Sequence, residues 1–584
     1  MEAGLRRAHS ASHVTLADWL TVERAGYGLA TVVGLAVRLI GLSWQPLGPA
    51  EAAQALPAWA AANGQPADLT GVSPLLYSLQ RLVFTPFGAS DALARWWPAL
   101  LGGLSPLLFY PLRHRLGRGA ALMAAFLWAV SPLAVFTSRL GLGYGLVATL
   151  ALALLVAFAG GSEKIRERRP VWLAICLGLL VAAGSGADTV LLVGLAAAWF
   201  WRADLSAFWQ SVRASRRQAL VGGLLALVLG STFFLLTPEG LAAAIDLLGS
   251  WVSCVLPGPG DYTPWEILRR LLLSEPLLVG FGLAGLGMAW RRRDRFALFL
   301  GSAAGLALLV SLVGRGRHPA DLSLVVLPLA MLAGQAVAGT LRGVWSWRRE
   351  VDPWLLVGLT LALLMSAGIC LPSASTPMNN PSWRQLYTAV GVATVTLAVL
   401  LWLAYGYWGS WQTVARALPV VPLVVGGLWC GSQLSALNYD RGAWRQPAAL
   451  TQVPASGLGD LLAELRNLSA LHGGGAREAR LDLVLPVGSA KALAPTLRWH
   501  LRDFVALRVL SAVPPEPAPL VITPADKQLS PAGNYTGAEF TVLQSWRPES
   551  LLGFDAWLRW VLYREAKTPA EEWKVVLWVD RSAQ

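Results

Sequence analysis

Three observations predict an α-helical polytopic membrane protein followed by a soluble α/β domain. Of 584 residues, 55% are hydrophobic and only 14% charged, against about 25% charged in soluble chains. The mean hydropathy of +0.52 is too high for one core under a wetted surface. The apolar residues also fall in blocks of about 15 to 22, separated by arginine-rich connections, which is the pattern of spanning helices. An ordinary cytosolic enzyme is excluded.

Against a span of about 20 residues, the apolar runs predict helices near 27–43, 92–112, 119–138, 140–160, 171–185, 187–201, 219–237, 276–290, 297–313, 320–341, 354–371, 386–405 and 417–436. Residues 1–26 read as a cytoplasmic segment, because Arg6, Arg7, Asp18, Glu23 and Arg24 interrupt any cleavable apolar signal. The net charge of +13 would suggest a nucleic-acid partner in a soluble protein. Here the basic residues sit in alternate short connections: Arg113, Arg115 and Arg118; Lys164, Arg166, Arg168 and Arg169; Arg213, Arg216 and Arg217; Arg291, Arg292, Arg293 and Arg295; Arg342, Arg348 and Arg349. They therefore set orientation by the positive-inside rule, and no nucleic-acid partner is expected. Thirteen spans with a cytoplasmic N-terminus put the C-terminus outside. The fifth and sixth spans are short and joined by Gly184, Ser185, Gly186 and Ala187, so one broken helix pair is the alternative there.

Residues 27–436 thus form the membrane domain, with external loops at 44–90 and 237–275. In the first loop the Ala-rich stretch Ala50 to Ala62 predicts a helix at the membrane interface. In the second, an amphipathic half precedes a Pro257-Gly258-Pro259-Gly260 break and a helix with Trp265, Arg269 and Arg270, suited to the headgroup layer. Residues 437–584 are charged and Pro-rich and form the extracytoplasmic domain. Helices are expected at 460–471 and 496–504, and strands at 481–485, 507–510, 520–523 and 540–545. The four cysteines have no metal-ligand spacing.

Ionisable residues are costly inside a bilayer, so an outer-face site has few candidates. Glu51 is the only acid in the first half of the first external loop. It reads as a general base or metal ligand, or as a solvated interfacial glutamate. Arg38, Arg95 and Arg139 lie at outer helix ends and either snorkel to headgroups or converge with Arg315, Arg317 and His318 as a phosphate pocket. The Arg-Gly-Arg-His cluster is on the face where positive charge is disfavoured, which points to function. Asp188 reads as a helix cap.

Several motifs carry a family resemblance. Val37-Arg38-Leu39-Ile40-Gly41-Leu42, Gln45 to Ala52, Ser73-Pro74-Leu75-Leu76-Tyr77, Phe87 to Arg95, Leu116-Gly117-Arg118, Ser131-Pro132 through Ser138-Arg139, and Leu497 to Asp503 together resemble the GT-C superfamily of polytopic glycosyltransferases. The branch they are similar to is the flippase-associated, dolichyl-phosphate-mannose-mannosyltransferase-like one. The resemblance implies a membrane lipid environment, a polyprenyl-phosphate-sugar donor, a glycan or glycolipid acceptor, and an acid in the first external loop beside a divalent metal. Glu51 matches the second residue of the family's Asp-Glu pair, whereas the first is Ala50 here. The acid that follows Ser-Arg in the branch and the histidine before its first-loop proline are also missing, the sequence reading Ser138-Arg139-Leu140-Gly141 and Ser73-Pro74.

Two functions follow. One is inverting sugar transfer with Glu51 as base and Arg139, Arg315, Arg317 and His318 on the phosphate. The other is a catalytically inactive relative that binds lipid or glycan as a scaffold or assembly factor. A transporter would show internal repeats with matching broken helices, and a channel a polar stripe; neither pattern is present.

Overall fold

A computed structural model describes residues 21–160, 168–184, 186–202, 205–256, 258, 262–316, 318–347, 350–374, 381–440, 452–473, 475–486, 492–527, 529–548, 551, 553–564 and 568–581. Most of the predicted cytoplasmic segment, Lys164, Arg166, Arg317, Arg348 and Arg349, and most of the Pro257 to Gly260 break lie outside the described residues.

Helix α1 (Val22–Leu39) starts where the Thr21 hydroxyl accepts from the Arg24 amide. The segment after α1 folds into α2 (Pro49–Ala62) and α3 (Pro74–Phe87), and α4 (Asp91–Leu104) re-enters the bundle behind the Ser90 cap. A bent pair follows, α5 (Arg118–Val130) and α6 (Pro132–Arg139), then α7 (Tyr144–Ala159), α8 (Arg169–Ala183), α9 (Ala187–Phe200) and α10 (Leu205–Ser231). The segment after α10 contains α11 (Glu239–Val255) and α12 (Pro264–Ser274). Helices α13 (Pro276–Arg292), α14 (Arg295–Val313), α15 (Leu322–Ser346), α16 (Asp352–Ala374), α17 (Pro381–Trp408) and α18 (Val420–Asn438) complete the membrane part.

Among the described residues, five helices are long and apolar enough to cross a membrane, and up to seven if two bent pairs each count as one span. The thirteen expected spans are therefore not reproduced as thirteen long apolar helices, for physical reasons. Helix α1 carries Glu23, Arg24 and Arg38, and α10 carries Arg213, Arg216 and Arg217. Pro106 and Pro111 fall in a 3-10 turn, Ser105–Leu112, that cuts the second run short. Pro132 bends α5 against α6 by 55°, and Pro276 bends α12 against α13 by 90°. The fifth and sixth runs are two short helices separated by Gly184 and Gly186, with φ of 98° and 87° that side chains rarely adopt.

Glu275 ties the two bends together. Its Oε1 accepts from the Ser131 hydroxyl and the Leu133 amide, the unpaired donors at the start of α6. Asn438, at the end of α18, donates to the Pro132 carbonyl at the same break.

The C-terminal domain is a six-stranded sheet in the order β1-β5-β6-β4-β2-β3. Strands β2 (Leu481–Val484), β3 (Leu507–Leu510) and β4 (Leu520–Pro524) are mutually parallel through β2; β1 (Val453–Pro454), β5 (Tyr535–Ser545) and β6 (Glu571–Asp580) join antiparallel. Helices α19 (Ser456–Gly473), α20 (Leu493–Leu501) and α21 (Phe554–Tyr563) pack with them. Buried Asp482 on β2 accepts from Arg508 Nε at 2.6 Å, from Arg508 Nη2 at 2.7 Å and from the Ala518 amide at 2.8 Å, which joins β3 to the approach of β4.

On helix α2, Ala52, Ala55 and Ala58 are fully buried in one cluster with Trp499 of α20, so the C-terminal domain covers the segment that follows α1. Trp499 Nε1 donates to Asp91 Oδ1 at 2.7 Å, Arg502 Nη2 to the Ala89 carbonyl at 2.8 Å, and the Arg502 guanidinium stacks 3.9 Å over the Trp499 ring. Small alanines on α2 are what let the indole sink in. Trp499→Ala is expected to cost about 3–5 kcal/mol, read as a lowered Tm with faster protease cleavage between the sheet domain and the outer loop.

Candidate outer-face site

Glu51 comes first because it is the acid that the sequence singles out. It sits in the first turn of α2, nearly buried, with all its acceptor directions filled. Arg95 of α4 donates Nε to Oε1 at 2.7 Å and Nη2 to Oε2 at 2.6 Å. The Gly141 amide donates to Oε1 at 2.8 Å and the Gly48 amide to Oε2 at 3.2 Å. Burial opposes the charge, but the Arg95 guanidinium and these hydrogen bonds outweigh it and hold the carboxyl below its ordinary value.

Arg95 is equally committed. Nη1 donates to the carbonyls of Leu42 at 2.8 Å and Gln45 at 2.6 Å, and Nη2 also reaches the Pro46 carbonyl at 3.3 Å. One guanidinium thus closes the turn after α1 onto α2 and α4, so its five donors are spent on protein.

The other two arginines of this group are spent in the same way. Arg38, fully buried, donates to Ser138 Oγ at 2.8 Å and to the carbonyls of Gly34, Ala129 and Trp128. It thereby satisfies carbonyls freed at the α5/α6 break. Arg139 caps the end of α1, donating to the carbonyls of Val37, Arg38, Ile40 and Gly41, and lies 4.6 Å over the Tyr439 ring. Arg38, Arg95 and Arg139 therefore do not converge on a common anion position, and they do not snorkel: they cap backbone.

Two positions at which the sequence departs from the pattern it resembles have other roles in the structure. Ala50 is exposed at the start of α2. The Ser73 hydroxyl donates to the Ala183 carbonyl at 2.7 Å, and Gln54 exchanges two hydrogen bonds with the Ser73 backbone, stitching α2 to α3.

A second group of polar residues gathers where α7, α9, α12 and α15 meet. His318, half-buried, stacks on Tyr144 with centroids 4.8 Å apart and planes 8° apart, and meets the edge of Tyr262 at 6.0 Å. Its Nδ1 accepts from the Ala320 amide at 3.1 Å, which leaves the ring proton on Nε2. Burial and the neighbouring Arg270 cation push the imidazole down to about 4, so it is neutral at physiological pH. The His318 amide donates to Asp321 Oδ2 at 3.2 Å.

Arg270, only 5% exposed, lies 4.5 Å over the Tyr262 ring, and its Nε and Nη1 have no hydrogen-bond partner. Arg270 precedes the bend at Glu275-Pro276 and packs against protein. Of the remaining candidates, Arg315 is exposed, with its side chain against Gly258 and its amide bonded to the Leu256 carbonyl at 3.0 Å. Arg317 lies outside the described residues. Asp188 stands in the first turn of α9.

The chemistry available differs between the two groups. A divalent metal beside Glu51 does not fit, since Arg95 and two amides already take the carboxylate lone pairs. Among the described residues no group of three or more His, Cys, Asp or Glu is placed to hold a metal ion. A buried guanidinium with unpaired N–H groups beside a neutral imidazole suits an anion that brings its own acceptor oxygens.

No family model matches the chain, and no curated protein does. Among solved structures it is similar to ArnT from Cupriavidus metallidurans bound to undecaprenyl phosphate, at 16% identity and a TM-score of 0.55 over 95% of this chain and 98% of that one. The apo state of the same protein gives 17%, 0.53, 96% and 99%. Arabinosyltransferase EmbB from Mycobacterium smegmatis aligns with 75% of this chain and 45% of its own at 15% identity, with a TM-score of 0.37. The chain thus has the fold of ArnT over nearly its whole length, and its long apolar helices are those of an integral membrane protein.

Removing one partner of a buried pair leaves the other charge uncompensated. Glu51→Gln and Arg95→Leu are each expected to cost about 3–5 kcal/mol, and the double variant less than their sum. Chemical unfolding of the four proteins checks this; a loss below about 1 kcal/mol for Glu51→Gln would mark a merely solvated glutamate. Because the folded carboxyl is held below 4.5, its contribution is full above that value and disappears only as the pH falls through the folded pKa.

Proposed function

We propose that this protein binds a polyprenyl-phosphate-linked sugar at the outer membrane face and transfers the sugar to an extracytoplasmic glycan or glycolipid acceptor. The observation that carries this reading is the Arg270 guanidinium, buried beside the start of the bent helix pair with Nε and Nη1 lacking hydrogen-bond partners. Arg270 would take the donor's phosphate, with the His318 Nε2 proton as a further donor and Arg315 at the exposed side. In the transfer the acceptor's hydroxyl oxygen bonds to the sugar's anomeric carbon as that carbon's bond to the phosphate oxygen breaks, and the hydroxyl proton passes to the departing phosphate. The leaving polyprenyl phosphate keeps the electron pair, and Arg270 offsets the charge that develops. The likeness of fold to a protein solved with undecaprenyl phosphate bound supports the same ligand class. The flippase-associated, dolichyl-phosphate-mannose-mannosyltransferase-like branch, thirteen spans, a cytoplasmic N-terminus and the boundaries at 26 and 436 belong to this reading too.

A specific observation favours the second reading, an inactive relative that binds the lipid as a scaffold or assembly factor. Ala50 replaces the family's first acid, and Glu51 has no acceptor direction left for a substrate proton. Glu51 as general base therefore requires Arg95 to leave it.

Binding of polyprenyl phosphate to the purified protein, and its release from polyprenyl-phosphate-sugar, separates these outcomes. Arg270→Gln is expected to weaken lipid binding about tenfold or more, since a hydrogen bond to a charged group contributes about 1.5–3 kcal/mol. Unchanged binding would refute the phosphate assignment. Release by wild type supports transfer; binding without release, with release gained in Ala50→Asp, supports the scaffold.

A further inference from the structure

Helix α21 is part of the sheet domain, yet its buried face rests on membrane helices. Trp560 and Val561 are buried in one cluster with Val453 and Trp546, against which Trp429 of α18 and Leu273 of α12 pack. Arg564, which ends α21, lies 5.0 Å from the Trp560 ring and donates from Nη2 to Oε1 of Gln433 on α18, and α21 also touches α16. Both α16 and the stretch that ends in α18 are long and apolar enough to cross a membrane, and only a minor part of each is buried by protein. Gln433 and Trp429 are in the second and third turns back from Asn438, the end of α18, about 8 and 14 Å along its axis at about 1.5 Å per residue. Helix α21 therefore lies beside the last turns of a spanning helix and not above them. Its opposite face is open: Leu562 is 39% and Tyr563 44% exposed, with Arg559 one turn before them on the same side.

We propose that α21 is an interfacial helix: its Leu562, Tyr563 and Arg559 face is immersed in the lipid headgroup layer beside α16 and α18 and ties the sheet domain to the bilayer. The depth fits, because the headgroup layer adds about 5–7 Å to each side of the hydrocarbon core and such helices sink their apolar face about 5–10 Å into it. The side chains fit too. Leucine supplies apolar area, tyrosine an apolar ring with a hydroxyl that reaches water or an ester oxygen, and arginine an aliphatic stem with a guanidinium for headgroup phosphate. The occupant is lipid because the flank that α21 extends is that of two apolar spans. Trp499 holds the sheet domain to α2, and α21 holds it to α12 and α18, so the lipid contact strengthens the second of two anchorages.

The test uses the full chain in nanodiscs of phosphatidylcholine and phosphatidylglycerol. Leu562→Cys and Tyr563→Cys each carry an environment-sensitive fluorophore, Glu464→Cys on an exposed position of α19 is the aqueous reference, and labelled wild type gives the background of the native cysteines. At 562 and 563 the emission is expected to be blue-shifted, quenched by phosphatidylcholine bearing a nitroxide near its glycerol, and shielded from iodide in the water. At 464 the order of the two quenchers is reversed. Iodide quenching at 562 and 563 equal to that at 464 overturns the proposal, since the face is then in water. Shielding from both quenchers overturns it too, since protein then covers the face. The two labelled positions report independently, so if one variant fails to fold the other decides.

Discussion

The Glu51 to Arg95 pair decides what the outer half of this protein can be. A charged pair taken out of water is stable only when every remaining lone pair and proton is satisfied, and here all are. Four donors meet the carboxylate, and the guanidinium uses its other N–H groups on three carbonyls of the turn after α1. That arrangement fixes where α2 begins. It therefore fixes the alanine face on which Trp499 and the C-terminal sheet rest. The sheet domain is a roof whose footing is an ion pair.

Arginine serves this chain in two distinct ways. Arg38, Arg95 and Arg139 spend their hydrogen bonds on carbonyls that proline breaks and helix ends leave unpaired, a use of the planar five-donor fork that a lysine would fill poorly. Arg270 is different, since burial without partners for Nε and Nη1 costs free energy unless something supplies acceptors. It is this unsatisfied, deeply buried guanidinium, and not the number of arginines, on which the proposed phosphate site rests.

Much of the architecture was legible in the sequence. Apolar blocks and the compositional change after Leu437 predict the membrane part and the sheet domain, and the Gly184 to Gly186 break is where the backbone takes left-handed φ. The bends within the runs were not legible, because hydropathy cannot see Pro106, Pro132 and Pro276 turning long runs into bends and 3-10 pieces. Strand β6 was missed, as was the first half of β5, where Tyr535 to Glu539 is mostly exposed and held by pairing alone. Within the site, Glu51 stood out, but its partner 44 residues away did not. The burial of Arg270 was not legible, because helix α12 has the aromatic and basic composition of a headgroup helix and the 90° bend that follows it leaves no mark in that composition.

The most direct test is an experimental structure of the protein with polyprenyl phosphate. The account predicts the phosphate within hydrogen-bond distance of Arg270 Nε and Nη1, with Glu51 still held by Arg95. A phosphate bound by Arg95 or Arg139, with Glu51 released toward the ligand, would contradict it.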